Sequence, residues 1–322
     1  MGSQFVDFNA DGRIDFFTAT FDGSPHVAYG TEDGFAEPVR ILDANGERVT
    51  LDQFWNYDSK KWDNRGTEDG HCTSAVAFDW DADGDFDLLL GDHDDGNLYL
   101  QRNEGTAEEP EFTGKNEMVL AGGQPFALHG GVSAPRLVDW DDDGLTDLVI
   151  GSFGESYTGE VAGGVYWYRN IGKPGAPKFA AAFTLIPPTK TQGHSAERPN
   201  VGLYADPVDY DGDGDLDLIV GGYAIWMPEP PDLTEAMEAR AKKLDAEFTA
   251  AQAAHSKQYQ DEMRRIDTLD LDEDAKGVKV REFFNSDDQR AMRKKLDELH
   301  AELRKLRPER ERKAGVWVFL RE

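Results

Sequence analysis

Cysteine, positive charge and long apolar runs are all scarce in this sequence. A single cysteine, Cys72, excludes an internal disulfide framework and a cysteine-rich zinc site. No apolar run approaches the roughly 18 residues of a membrane-spanning helix, and no secretory leader pattern is recognisable. The 34 Lys and Arg stand against 63 Asp and Glu, which gives a formal net charge of −29. A field of that sign repels phosphate backbones and anionic lipids, so we expect neither nucleic acid nor a membrane surface as a partner.

The acidic residues are unevenly distributed along the chain. Residues 232–313 hold 19 basic and 20 acidic side chains, whereas all the other residues together hold 15 and 43. The chain is 39% hydrophobic and 11% aromatic, which is enough to bury a core and excludes a simple disordered acidic tail. The shift in charge predicts three segments, namely 1–231, an insertion over 232–313, and a return strand over 314–322.

An acidic motif recurs four times without gaps, starting at Asp7, Asp79, Asp139 and Asp209. Short apolar runs precede and follow each copy, and turn residues separate these runs. The pattern predicts antiparallel units of about four strands. Such units cannot bury both of their faces alone, so we expect them to stack on one another.

The spacing inside the motif is typical of a cation site. Each copy has Asp or Asn at positions 1, 3, 5 and 9 and glycine at position 6. Oxygen atoms at this spacing, with a backbone carbonyl at position 7, suit calcium, which takes about six to eight oxygen ligands. The alternative is a set of metal-free turns in which the side chains bond only to the backbone. The glutamate that an EF-hand needs at its twelfth position is absent from all four copies, which have Thr18, Leu90, Ile150 and Val220 there.

Calcium is the cofactor that this spacing predicts, at about four ions per chain. The predicted ligands are the residues at positions 1, 3, 5, 7 and 9 of each motif: Asp7, Asn9, Asp11, Arg13, Asp15, Asp79, Asp81, Asp83, Asp85, Asp87, Asp139, Asp141, Asp143, Leu145, Asp147, Asp209, Asp211, Asp213, Asp215 and Asp217.

The acidic loop followed by a Leu- and Val-rich strand and a glycine resembles the FG-GAP or VCBS repeats of extracellular β-propellers, a family that includes integrin heads. The copy that starts at Asp139, with the later run Val165–Asn170, is the most similar. The resemblance implies an all-β fold, a partial β-propeller of about four four-stranded blades with the last one incomplete. It also implies a secreted, periplasmic or cell-surface location. Propellers of this family usually have more blades, so the chain is either part of a longer protein or closes in an unusual way.

Residues 232–313 interrupt the fourth unit and have helical periodicity. Apolar residues recur every three, four or seven positions from Met237 to Met263, including Tyr259. A second helix is predicted from about Asp287 to Arg312, with a heptad seam that begins at Met292. Together they predict an antiparallel helical hairpin with coiled-coil packing. It is interpreted either as a surface decoration or as a lid or partner-binding arm.

Histidines and aromatic residues collect in the connections that lie opposite the acidic loops in the family topology. Three histidines precede first strands, which line the central axis in that topology, and imidazole is both a zinc ligand and a base near neutral pH. Aromatic side chains in the same connections suit stacking on sugar rings, or else pack as a small core under a long loop. The candidate catalytic residues are His71, His129, His194, Tyr57 and Arg65, and the candidate ligand-binding residues are Trp55, Trp62, Tyr157 and Trp226.

Three functions stay open at this point. The first is a module that binds a glycan or an extracellular protein through the face that carries the insertion. The second is a polysaccharide lyase or hydrolase in which the histidines, with or without zinc, act as ligands or bases. In that enzyme a tyrosine such as Tyr57 acts as the acid, and Arg65 or Arg198 holds a carboxylate. The third is a structural segment that self-associates through the helical hairpin or through an open propeller edge.

Overall fold

The computed structural model describes residues 2–128, 130–154, 162–189 and 198–321. Over these residues the protein is mostly β, with several antiparallel sheets and three helices. The chain divides into two compact units, the first formed by Met1–Trp226 with Arg312–Glu322 and the second by Met227–Glu311.

The strands of the first unit are short, and most have two to seven residues. Up to the first long connection they are β1 (Ser3–Val6), β2 (Asp15–Ala19), β3 (Pro25–Ala28), β4 (Gly30–Thr31), β5 (Gly34–Phe35), β6 (Val39–Arg40), β7 (Gln53–Asn56) and β8 (Lys61–Asn64). The middle of the chain adds β9 (Cys72–Phe78), β10 (Asp87–Asp92), β11 (Leu98–Gln101), β12 (Glu117–Met118), β13 (Leu120–Ala121) and β14 (Gln124–Pro125). The strands before the helices are β15 (Val132–Val138), β16 (Asp147–Ser152), β17 (Val165–Tyr168), β18 (Phe183–Ile186), β19 (Val201–Val208) and β20 (Asp217–Trp226).

Four sheets follow one another along the chain, and each contains one of the acidic motifs. Sheet one has the strand order β1-β2-β3-β6, sheet two β12-β11-β10-β9 and sheet three β15-β16-β17-β18. Sheet four pairs β19 with β20 and adds β21 (Glu311–Phe319), which follows the helices in sequence. Sheet four therefore has three described strands where the others have four, as the sequence predicts for an incomplete last unit. The hairpins β4-β5, β7-β8 and β13-β14 lie outside these sheets.

The second strands of the middle sheets are buried along their whole length. In β10 and β16, Leu, Val and Ile alternate between two cores, because successive side chains of a strand point to opposite faces. Leu88 and Leu90 pack towards sheet one, whereas Leu89 packs towards sheet three. Three apolar clusters formed in this way join sheet one to two, two to three and three to four.

The second unit is helical. It contains α1 (Glu235–Asp267), α2 (Glu273–Phe284) and α3 (Asp287–Leu306). Each helix begins at a capping side chain, Thr234, Asp272 or Ser286, which accepts a hydrogen bond from a first-turn backbone N–H. α1 packs against α3, as the hairpin prediction requires. None of the described helices combines the length and the apolar character needed to cross a bilayer.

The structure corrects three details of the helical prediction. The segment between the two predicted helices, expected to be a short return, contains α2. α3 ends at Leu306 rather than at Arg312, because Pro308 disfavours helical backbone at Arg307, which has φ −130° and ψ 88°. Tyr259, expected on the packed face of α1, is 41% exposed.

Candidate functional site

The connection between the first and second strands of each sheet is an acidic loop of nine residues. We name these loops one (7–15), two (79–87), three (139–147) and four (209–217), and we number their positions from 1 to 9. The strands that flank each loop are paired in register, so the loop ends are fixed by the sheet. In sheet three, for example, Val138 before the loop pairs with Asp147 at its end.

The backbone of all four loops has the same unusual shape. The glycine at position 6 has φ between 85° and 102° in every loop, as the sequence predicts. Position 4 is also left-handed, although Ala10, Ala82 and Asp142 are there, with φ of 54°, 62° and 57°. A side chain in this region costs of the order of 1 kcal/mol, so surrounding contacts must hold the loop in place. The sequence gives only one signal for position 4, the glycine Gly212 of loop four.

Carboxylates at positions 1 and 5 hold this shape. In loop three, Asp139 Oδ1 accepts a hydrogen bond from Asp143 N at 3.0 Å and Asp139 Oδ2 accepts one from Gly144 N at 2.8 Å. Asp143 Oδ1 in turn accepts a hydrogen bond from Leu145 N at 3.0 Å. Loops one and two repeat the set of three bonds. Part of each carboxylate is thus used by the backbone, as the metal-free alternative also predicts.

The carboxylate at position 9 joins each loop to the third strand of its own sheet. Asp147 Oδ2 accepts hydrogen bonds from Trp140 N at 3.2 Å and from Trp167 Nε1 at 2.8 Å, and Asp147 Oδ1 accepts one from Asn170 N at 2.6 Å. In loops one, two and four the equivalent carboxylate likewise accepts a hydrogen bond from the N–H at position 2. It accepts another from the backbone N–H of the residue two positions after the third strand, which is Gly30, Asn103 or Arg321. Position 9 is therefore a buried structural link as well as a candidate ligand.

Carboxylate oxygens gather in loops two, three and four. Three acidic side chains in each of these loops offer oxygens that all lie within 4.8 Å of one another: Asp79, Asp81 and Asp83; Asp139, Asp141 and Asp147; and Asp209, Asp211 and Asp217. Two buried oxygens in these loops, Asp141 Oδ1 and Asp215 Oδ1, have no hydrogen-bond donor. Such clusters can bind a metal ion, and an all-oxygen set with unpartnered oxygens fits calcium.

Loop one keeps the backbone shape but not the charge pattern. Asn9 is at position 3, and Arg13 at position 7 contacts Asp11, with 3.5 Å between Arg13 Nη1 and Asp11 Oδ2. Among the described residues, the carboxylates of this loop do not form a group like those of the other three. Loop one is thus the weakest candidate of the four predicted calcium sites.

An arginine beside the loop is a feature that the sequence reasoning missed. Arg169 follows the third strand of sheet three, and its Nε and Nη2 lie 2.6 Å and 2.9 Å from Asp141 Oδ2 and Asp143 Oδ2. Arg102 has the same place in sheet two, where its Nη1 lies 3.5 Å from Asp81 Oδ2. The signal in the sequence was the Arg-Asn pair that directly follows both third strands.

Burial raises the pKa of several loop carboxyls. The pKa of Asp87 is raised to about 6, chiefly by burial and also by the charge of Asp81, against the hydrogen bonds from the backbone of Asn103 and Trp80 that lower it. Burial likewise raises the pKa of Asp147. For Asp85 and Asp215, burial is the main cause, and the neighbouring carboxylate at position 5 adds to it. Ionisation of these groups is therefore less favourable than in water, and a cation bound nearby would offset that cost.

Comparison with known families supports the motif that the loops define. Residues 139–220 match the family model of the FG-GAP-like repeat. The matched segment begins at the first residue of loop three and ends on β20, so it contains loops three and four and the strands β16 to β19 between them. The predicted resemblance to FG-GAP or VCBS repeats is confirmed over this segment.

Aromatic side chains gather at the end of the sheets opposite the acidic loops. We name Phe21, Trp55, Tyr57, Trp62 and His71 the aromatic patch. The rings of Trp55 and Trp62, which pair across the β7-β8 hairpin, lie 5.7 Å apart. Trp62 also contacts Phe21 at 5.9 Å and His71 at 5.2 Å. Phe21, Tyr57 and Trp62 remain 56%, 53% and 48% exposed. Phe21, in the short β2-β3 connection, was not among the predicted ligand-binding residues.

His71 is buried against this patch. Its Nε2 lies 3.1 Å from the carbonyl oxygen of Phe21, and burial lowers its pKa, so the ring is neutral at pH 7. His129 and His194 lie outside the described residues, so the predicted convergence of the three histidines stays a prediction. No group of metal-ligating side chains among the described residues contains a histidine, and zinc also stays a prediction.

Tyr57 belongs to the aromatic patch, whereas the other predicted site residues are dispersed. Tyr57 has the guanidinium of Arg40 at 4.6 Å from its ring centre. Arg65 is close to the buried carboxylate of Asp43, with 3.7 Å between Nη2 and Oδ2. Trp226 is the last residue of β20 in sheet four. Tyr157 lies outside the described residues.

Proposed function

We propose that this chain is a calcium-stabilised, β-propeller-like repeat module of the extracellular space that binds a glycan through the aromatic patch. The calcium part rests chiefly on one observation, the unpartnered buried oxygen of Asp141 inside a gathered set of carboxylates. Side chains at positions 1, 3, 5 and 9 and the carbonyl at position 7 would hold the ion. When bound, calcium neutralises the carboxylates and so stabilises the loop against the third strand.

The family and the exposure of the loops support an extracellular location. FG-GAP repeats are typically extracellular. The loop carboxylates at positions 1, 3 and 5 are mostly exposed, which is typical of weak sites. Extracellular modules bind calcium with dissociation constants of about 0.1–1 mM, so weak sites are sufficient there.

The glycan part rests on the exposed rings of the aromatic patch. Trp62 stands on edge against Phe21, Trp55 and His71, with interplanar angles of 87°, 75° and 81°, so its ring is held by packing. A rigid, half-exposed ring loses little conformational freedom when a sugar stacks on it. Arg40, whose guanidinium lies over the ring of Tyr57 and 3.4 Å from Asp22 through its Nε, adds a polar group beside the rings. An extracellular protein is the alternative occupant of the same surface.

Asp211→Asn tests the calcium part, because the amide keeps the shape of the side chain and removes its charge. We expect about 2 mM calcium to raise the thermal midpoint of the wild type above its value in chelator, and the variant to lose part of that increase. Asp33→Asn, on the exposed β4-β5 turn, is the matched control and should behave as the wild type. An equal loss with and without calcium would contradict a metal role.

Trp62→Ala tests the glycan part. Affinity electrophoresis in gels that contain neutral or uronic-acid polysaccharides should show retardation of the wild type by at least one of them and a loss of retardation in the variant. Phe183→Ala removes an aromatic ring that is 61% exposed elsewhere and is the control. Retardation that is identical in all three proteins, or absent from the wild type, rejects this surface as a glycan site and leaves the protein alternative.

A further inference from the structure

The acidic loop joins the first and second strands in all four sheets. Its numbering therefore aligns the strands around it residue by residue from one sheet to the next. The residues at positions 10 and 12 of the motif face the preceding sheet, and the residue at position 11 faces the following one. In sheet three, Leu148 and Ile150 pack against sheet two, whereas Val149 packs towards sheet four. The same alternation holds for Leu88, Leu90 and Leu89 in sheet two. Every sheet therefore has one preceding-facing and one following-facing surface.

The following-facing surface of sheet four is apolar and exposed. In sheets two, three and four, the backbone N–H that donates to Oδ1 of the position-9 carboxylate belongs to Asn103, Asn170 and Arg321, respectively. These three residues are therefore equivalent, and they align the third strands. Counting back from them, Val316 and Val318 correspond to Leu98 and Leu100, which are 0% and 2% exposed in sheet two. In sheet four the two valines are 68% and 40% exposed, and Val208 is 38% exposed.

The preceding-facing surface of sheet one is exposed in the same way. Phe5 stands two residues before its loop, where sheet two has Ala77, and these residues are 62% and 2% exposed. The ring of Phe5 lies 5.3 Å from that of Phe16, which is at position 10, and 6.1 Å from that of Phe35. Three phenylalanines thus form an aromatic surface on a strongly acidic protein.

One outer surface is following-facing and the other is preceding-facing, and these are the two kinds of surface that pack together between neighbouring sheets. In each of the three internal contacts, the following-facing surface of one sheet lies on the preceding-facing surface of the next. None of the three apolar clusters, drawn from the described residues, joins sheet four to sheet one. The apolar residues of the outer surfaces are Phe5, Phe16 and Phe35 on one side and Val208, Val316 and Val318 on the other. Arg40, paired with His26, shares the surface of sheet one. Asp206, paired with Ile219, shares that of sheet four, so these two charges are of opposite sign. Together they therefore add no pair of like charges to the general repulsion between two copies with a net charge of −29.

We propose that a second copy of this chain occupies these surfaces, with sheet four of one copy packed head-to-tail on sheet one of the other. The contact repeats the geometry of the three internal contacts and is heterologous, so it closes into a ring or continues as a chain of copies. This inference is independent of the calcium and glycan proposals, since it uses neither the acidic loops nor the aromatic patch.

Light scattering coupled to size exclusion tests the inference on the full chain in calcium. A mass of at least twice the 35.8 kDa of one chain is expected at high protein concentration. Phe5→Lys and Val318→Lys each place a charge on one outer surface and should return the mass to that of one chain. Val278→Lys, at a valine of α2 that is 43% exposed, is the matched control and should keep the wild-type mass.

Mixing the two variants distinguishes a head-to-tail contact from other forms of association. Phe5→Lys retains an intact sheet four surface and Val318→Lys retains an intact sheet one surface, so the equimolar mixture should form a dimer that neither variant forms alone. The same result shows that both variants are folded. A wild type that keeps the mass of one chain at all concentrations would overturn the inference, as would wild-type masses for both variants.

Discussion

The arginine beside an acidic loop determines how much of the loop's negative charge is neutralised before any ion binds. Arg169 contacts two carboxylates of loop three, whereas Arg102 has a longer contact with loop two. In sheet four, Leu320 has the place of these arginines, and Arg321 instead bonds to the carbonyl of Trp140. Loops that share one ligand pattern are therefore expected to differ in calcium affinity.

Replacement of Arg169 by Gln should strengthen calcium binding to loop three. The guanidinium lies against oxygens of Asp141 and Asp143 that calcium also requires, so removal of this competitor should raise the affinity by about two- to fivefold, as for an exposed ion pair. Titration calorimetry of metal-free protein measures the change. Arg136→Gln, which removes an arginine paired with Asp206 outside the loops, is the control. Unchanged or weaker binding in Arg169→Gln would show that the arginine does not compete.

The raised pKa of Asp87 predicts how stability depends on pH in chelator. Its pKa is about 6 in the folded protein and 3.8 in the unfolded chain, so the folded state binds the proton more tightly. The stabilisation is fully present below about pH 4 and is lost as the pH rises to about 6, with a cost of the order of 2–3 kcal/mol for this group.

Urea unfolding in chelator at several pH values measures this dependence. Asp87→Asn removes the titrating group and should flatten the profile between about pH 4 and pH 6. A wild-type profile that rises over this interval, and stays the same in the variant, would contradict the assignment.

At the residue scale, the motif predicted the loop but not its neighbours. Positions 1 to 9 are contiguous, so their spacing alone predicts a turn that gathers oxygens. Arg169 lies 22 residues after Asp147 and reaches the loop only because β17 pairs with β16. The left-handed backbone at position 4 was missed because alanine and aspartate at that position do not signal it.

At the scale of the element, the second strands of sheets two and three are buried along their whole length. Ile150 is fully buried between sheets two and three, so Ile150→Ala should lower the free energy of unfolding by about 2–5 kcal/mol. Leu120→Ala, at a leucine that is 53% exposed, should change it by less than about 0.5 kcal/mol. Equal losses for the two variants in denaturant unfolding would mean that the sheets do not pack as described.

The strands were easier to predict than the helical insertion. Alternating apolar runs between turn residues define the strands locally. The insertion has Asp272 as a cap for α2, but the acidic residues and Gly277 around it favoured the prediction of a loop. The end of α3 was overestimated because the predicted helix was extended beyond the last seam residue, Leu306, and through Pro308, where the backbone leaves the helix.

At the scale of the whole molecule, the negative charge is concentrated in the unit that contains the loops. Outside 232–313 the chain has 43 acidic and 15 basic residues, and burial has already raised the pKa of several loop carboxyls. Without cations, mutual repulsion destabilises this compact unit. Divalent ions bound in the loops would remove much of that repulsion at the points where the carboxylates are closest together.

Native mass spectrometry of the protein, exchanged from calcium-containing buffer, tests the central claim most directly. The account predicts at least three bound calcium ions per chain, one for each of loops two, three and four, and a weaker fourth ion at loop one. Replacement of one carboxylate in each of these three loops should remove their ions. A wild-type chain that binds no calcium at millimolar concentration would contradict the account.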